Sequence, residues 1–174
     1  MRKGLRFGGA AGAMVLMVAV MAGCFETETV LGPVEQGVVD PKLIGDWALR
    51  DTEPDKPVEF YVRNFDGRAL YVEQREAEGV KARYAAHVID LKGASFVHLR
   101  MLSDDVSLEK EYLILRVDRA ADGSVKLRQL NPDFFADKPH DSTDKLRAIV
   151  EKSLDDPAMY DDSEGPLVLG RKVE

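Results

Sequence analysis

The chain has 174 residues, with 24 Lys and Arg against 31 Asp and Glu, 45% hydrophobic residues and one cysteine. Residues 1–23 hold three basic residues and no acid, so the remainder carries 21 basic and 31 acidic residues, a net charge of −10. That balance excludes a nucleic-acid binder or a polybasic membrane-surface protein, both of which need clustered Lys and Arg. The apolar content excludes disorder, and a single cysteine excludes a disulfide framework or a Cys-rich metal site. The length is one domain's worth, enough to bury about 68–70% of the unfolded surface.

Residues 1–23 open with Arg2, Lys3 and Arg6. They continue into an apolar run from Gly8 to Ala22 that is too short and too rich in small residues for a stable spanning helix. The run ends in Met21-Ala22-Gly23-Cys24. Residues 24–40 then scatter Gly, Pro and acids with no sustained period, which reads as a flexible tether. From Pro41 the pattern becomes short alternating runs between turn residues, the sign of an antiparallel sheet. Strands are predicted at about 43–50, 58–64, 68–76, 80–90, 94–102, 110–118, 125–130 and 166–172.

Two hairpins can be registered from the sequence. Asn64-Phe65-Asp66-Gly67 suits a type I turn with a left-handed glycine. With Asn64 opposite Arg68, Val62 faces Leu70 and Phe60 faces Val72, leaving Tyr61, Arg63, Tyr71 and Glu73 on the other side. A two-residue turn at Lys92-Gly93 pairs Val88 with Val97, Ala86 with Leu99 and Tyr84 with Met101. Arg83, His87, His98 and Arg100 then share the opposite face. The two strands of that second hairpin put the same residues inside, which specifies the register. Downstream, Leu146, Ile149, Val150 and Leu154 fall on one stripe of a helix from Thr143, started by Ser142 or Asp141 and ended before Pro157. The predicted order is seven strands, a helix and a last strand.

The candidate chemistry is sparse. His87 stands directly across from His98, but on a solvated face flanked by Arg83 and Arg100, so the pair is expected to bind no metal. His140 has no evident partner. The run from Asp155 to Glu164 lacks the spacing of a calcium loop and reads as a solvated acidic loop, as does Asp104-Asp105. No nucleophile motif and no glycine-rich phosphate loop is present, so no cofactor and no enzymatic activity are expected. The apolar interior therefore supplies the candidate ligand pocket: Phe60, Val72, Gln74, Tyr84, Leu99 and Met101. Ala82 and Ala86 leave space there, and Gln74 is placed to orient a polar head.

Residues 21–24 resemble the lipobox of bacterial lipoprotein signal peptides, with Met21 where leucine is usual. The resemblance implies removal of residues 1–23, acylation of Cys24 and anchoring in a membrane. Phe25, rather than aspartate, after the cysteine implies the outer membrane, facing the periplasm. The strand order, opened by Leu43-Ile44-Gly45-Asp46-Trp47, resembles the lipocalin-like (calycin) group of up-and-down barrels, whose first strand carries Gly-x-Trp. A counterpart of that group's later Thr-Asp-Tyr motif is lacking. The resemblance covers about residues 41–174 and implies an antiparallel barrel of about eight strands with one helix before the last strand. It also implies that Trp47 closes one end and that Arg171 packs across its indole. The functional expectation is a non-catalytic, lipid-anchored envelope protein that holds a small apolar ligand. The alternative is a filled barrel that offers a surface to an envelope protein, with an apolar patch around residues 131–135.

Overall fold

The computed structural model describes residues 25–103, 111–161, 163 and 165–172. Asp104 and Asp105, like Cys24, lie outside the described residues. The strands are β1 (Glu26–Thr27), β2 (Gly45–Leu49), β3 (Glu59–Asn64), β4 (Leu70–Glu76), β5 (Gly79–Leu91), β6 (Ala94–Met101), β7 (Tyr112–Arg119), β8 (Val125–Leu130), β9 (Tyr160–Asp161) and β10 (Leu167–Arg171). Two α-helices, α1 (Pro132–Phe135) and α2 (Thr143–Lys152), stand between β8 and β9. Antiparallel pairing runs β7-β6-β5-β4-β3-β2-β10-β8, and β8 pairs back to β7. The protein is thus mainly β, a closed eight-stranded antiparallel barrel with its main helix before the last strands.

The second hairpin has the register its sequence predicts, with Val88 opposite Val97, His87 opposite His98 and Tyr84 opposite Met101. Lys92 and Gly93 both take positive φ, +49° and +86°, the geometry of a tight two-residue turn that matches strand twist. The first hairpin is corrected by two residues: Val62 opposes Val72, Phe60 opposes Gln74 and Asn64 opposes Leu70. The cause is a wider loop. Asn64 accepts from the Gly67 N–H and Asp66 from the N–H groups of Arg68 and Ala69. A shift of two preserves which face each side chain takes, so the predicted interior stands.

A larger correction concerns residues 24–40. From Phe25 onward this segment is a strap bound to the barrel, not a tether. Phe25 and Leu31 are buried, and β1 pairs with the start of β7. The Val38 N–H then bonds to the carbonyl of Val88 in β5. The structured domain therefore begins near Phe25 rather than at residue 41. The short β9, paired with β8, is a second addition to the predicted order.

The apolar residues divide into two cores. One fills the barrel, with Trp47, Leu70, Val88, Val97, Leu115 and Val125 among its members. The other lies outside it, where Ile89, Leu91, Phe96, Ile114 and Leu130 pack under Leu146 and Val150 of α2, Phe135 of α1, Met159, Tyr160, Phe25 and Leu31. Ser142 occupies the N-cap of α2 without a side-chain cap bond, Asp144 sits in the first turn, and Lys152 ends the helix favourably for its dipole.

Candidate functional site

One end of the barrel is stoppered. Gly45 has φ +145°, and a Cβ there would come within 2.3 Å of Arg171 Nη1, so the position admits only glycine without rearrangement. The guanidinium of Arg171 lies 4.7 Å from the Trp47 ring centroid. It donates from Nη1 to the Ile44 carbonyl at 3.1 Å and from Nη2 to the Lys42 carbonyl at 2.8 Å. Trp47 Nε1 donates to the Leu43 carbonyl at 2.9 Å. Together these bonds fix residues 42–44 over the barrel end, where Val39, Leu43 and Ile44 pack against the interior. Asp40 pairs with Arg119 at the same rim. The sequence reading of Gly45, Trp47 and Arg171 thus corresponds to one physical device, an arginine clamp over a buried indole.

At the opposite end the inward-facing side chains Gln74, Ala82, Met101, Leu113 and Leu127, with Phe60 paired across from Trp47, are half-buried, as are Val39, Leu43 and Ile44 at the clamp. The described interior therefore combines a buried set that includes Trp47 with these half-buried side chains. None of these half-buried side chains is charged, and Gln74 Nε2 donates to Glu76 Oε1 at the rim. Such a surface receives neutral, apolar groups and offers little to ions. Of the six pocket residues read from sequence, Phe60, Gln74, Leu99 and Met101 belong to the half-buried zone. Val72 and Tyr84 are buried, at 8% and 7% exposure. Leu127 was not singled out. Its signal was the alternation of β8, where Val125, Leu127 and Gln129 face inward.

The histidine pair is corrected in environment. Both rings do face outward, stacked with centroids 4.5 Å apart and planes at 8°, yet they are buried, His98 completely. The strap covers them. The Leu31 N–H donates to His98 Nε2 at 3.0 Å, and His87 Nε2 lies 3.2 Å from the Gly32 carbonyl. His98 is therefore neutral with its proton on Nδ1, which faces the main chain of His87 without a well-formed hydrogen bond. Burial, followed by the charge of His87, pushes its pKa down to about 3. Burial lowers His87 as well, as does Arg100, while Gly32 and Glu35 act in the opposite direction. The pair is a clasp for the strap, with Tyr112 edge-on to both rings.

His140 does have partners: its Nδ1 lies 2.8 Å from the Lys138 carbonyl and its ring 5.4 Å from Phe25. The loop read as solvated and acidic is built in part, since Asp156 caps the turn that buries Met159 and Tyr160. Among the described residues no group of three or more His, Cys, Asp or Glu is placed to hold a metal, and no helix is long and apolar enough to cross a membrane. Comparisons with protein-family profiles, with curated proteins and with solved structures found no match.

Proposed function

We propose that the chain is a non-catalytic, lipid-anchored protein of the bacterial cell envelope that holds a small apolar ligand in its barrel. The observation that carries the reading is the set of half-buried, uncharged inward residues, Phe60, Gln74, Met101, Leu113 and Leu127, beside the buried Val72 and Tyr84. The Arg171–Trp47 clamp supports the resemblance to lipocalin-like barrels, in which a Trp closes one end and an Arg packs across it. The anchor rests on the Met21-Ala22-Gly23-Cys24 sequence, with the outer membrane as its site and the periplasm as the space the barrel faces.

Titration with the neutral apolar fluorophore N-phenyl-1-naphthylamine tests the pocket. Saturable binding is expected, weakened at least tenfold by Met101→Trp with little change in melting temperature. Absence of saturable binding would favour the alternative, an interaction module. That alternative has its own observation: on the bare outer face of β3 and β4, Tyr61 lies under Arg75 at 4.3 Å, beside Tyr71 and Arg63, and Tyr and Arg are the side chains that dominate protein interfaces. The anchor is tested separately, since Cys24→Ser should yield an unprocessed or soluble species.

A further inference from the structure

We infer that the loop from Asn131 to Asp141 is a membrane-contact face, held against the lipid headgroups because the strap leaves the acyl anchor no slack. The inference rests on the lipid-anchor reading and adds to it the orientation of the barrel and the surface that meets the bilayer.

A flexible segment of about a dozen residues would let the barrel wander roughly 20 Å from its attachment point. The strap removes that freedom. Leu31 is completely buried and held by His98, and Phe25 is 4% exposed. The Phe25 ring packs 4.5 Å from Phe135 and 5.4 Å from His140. Cys24 precedes Phe25 directly, so their Cα atoms are about 3.8 Å apart. Whatever lipid Cys24 carries is therefore attached one residue from Phe25, whose ring packs against this loop.

The loop suits that position. Asn131 caps α1 by accepting from the Asp133 N–H at 3.0 Å, which fixes its conformation. Phe134 is half-buried and packs 5.2 Å from Phe135, while Lys138 lays its ammonium 3.6 Å over the Phe134 ring. An aromatic ring with an adjacent lysine that can turn its amine toward headgroups is the composition of an interfacial contact. The exposed Asp133, Asp137 and Asp141 oppose an anionic surface, so the partner the loop fits is zwitterionic lipid. The same attachment sets Glu26 across from Leu113, one of the half-buried inward residues, and so brings the proposed ligand site close to the bilayer.

The test uses the processed, acylated chain in phosphatidylcholine vesicles. With Cys24 acylated, an introduced cysteine is the only free thiol. A fluorophore is placed at Asp137→Cys or, at the exposed tip of the β3–β4 hairpin, at Phe65→Cys, and headgroup-spin-labelled lipid is added as quencher. Quenching at position 137 is expected to exceed that at position 65 at least threefold. It should fall to the position-65 level in Leu31→Asp, which evicts the strap, with vesicle association retained. His98→Ala, which removes one strap hydrogen bond and leaves the barrel interior untouched, should lower it in the same direction. Equal quenching at the two positions in the otherwise unaltered, vesicle-bound chain would overturn the contact face while leaving the anchor intact. Quenching at 137 unmoved by both strap variants would equally overturn it. A chain that does not stay with the vesicles would remove the anchor reading and the contact face together.

Discussion

The outer surface of the barrel has two halves that the sequence builds differently. On β5, β6 and β7 the outward side chains include Ile89, Leu91, Phe96 and Ile114, and with the inward Val88, Val97 and Leu115 these strands are apolar on both faces. On β3 and β4 the outward residues are Glu59, Tyr61, Arg63, Tyr71, Glu73 and Arg75, which hold one another through ion pairs and ring contacts. The first half must be covered, and α1, α2 and the strap cover it. The second half is complete as it stands: Glu73 accepts from Tyr71, Arg75 and Arg83, which lowers its pKa and lets it sit at 9% exposure. A strand apolar on both faces is a demand for a covering layer elsewhere in the chain.

The largest effect should follow from emptying the covered half. Phe96→Ala removes a completely buried ring and leaves a cavity under α2 and the strap, so a loss of about 3–5 kcal/mol is expected in chemical denaturation.

A second prediction uses acid. His98 is neutral in the fold with a pKa near 3, below its ordinary value of about 6.5. The unfolded chain therefore takes up the proton first. The stability from keeping this ring neutral is complete above about pH 6.5 and declines as pH falls toward 3, by about 1.4 kcal/mol per pH unit within that window. His87 adds in the same direction. Glu26 works oppositely, because burial and its hydrogen bond to Glu111 raise its pKa and favour the protonated, folded form. Denaturation midpoints between pH 6.5 and 4.5 should fall for the unaltered chain, and less steeply for His98→Leu.

Smaller again is the clamp. Arg171→Ala should cost about 0.5–2 kcal/mol, and less in a Trp47→Ala background, as a double-mutant cycle would show. Additive costs would mean that guanidinium and indole do not interact. The smallest effect belongs to the bare half: Arg75→Ala removes partners of Glu73 and Tyr61 that are largely solvated, and a change within about 1 kcal/mol is expected.

These halves also mark how far the sequence could be read. Tight local chemistry was legible: Lys92-Gly93 fixes a turn only one way, so the β5–β6 register and the facing of His87 and His98 follow from it. The first hairpin slipped by two because Asn64 and Asp66 close a longer loop with their own side chains. Much of the half-buried lining was legible from alternation alone, through Phe60, Gln74, Ala82, Leu99 and Met101. The cover over His87 and His98 was not. Phe25 and Leu31 are single apolar residues among Gly, Pro and acids, with no period of their own, and their burial depends on a face assembled from β5 to β8. The sequence signal for this cover lies on the partner side, in Ile89, Leu91, Phe96 and Ile114, outward apolar residues that need a covering layer.

Amide hydrogen exchange at Leu31 tests most directly whether the strap belongs to the fold. Its N–H is bonded to a completely buried imidazole, so the account predicts protection at neutral pH of at least a thousandfold over an unstructured chain, comparable to the central residues of β5. Protection should fall as the pH is lowered below about 6, once the intrinsic rate is allowed for. Exchange at Leu31 within tenfold of the unstructured rate, beside a protected β5, would make residues 25–38 a tether and contradict the account.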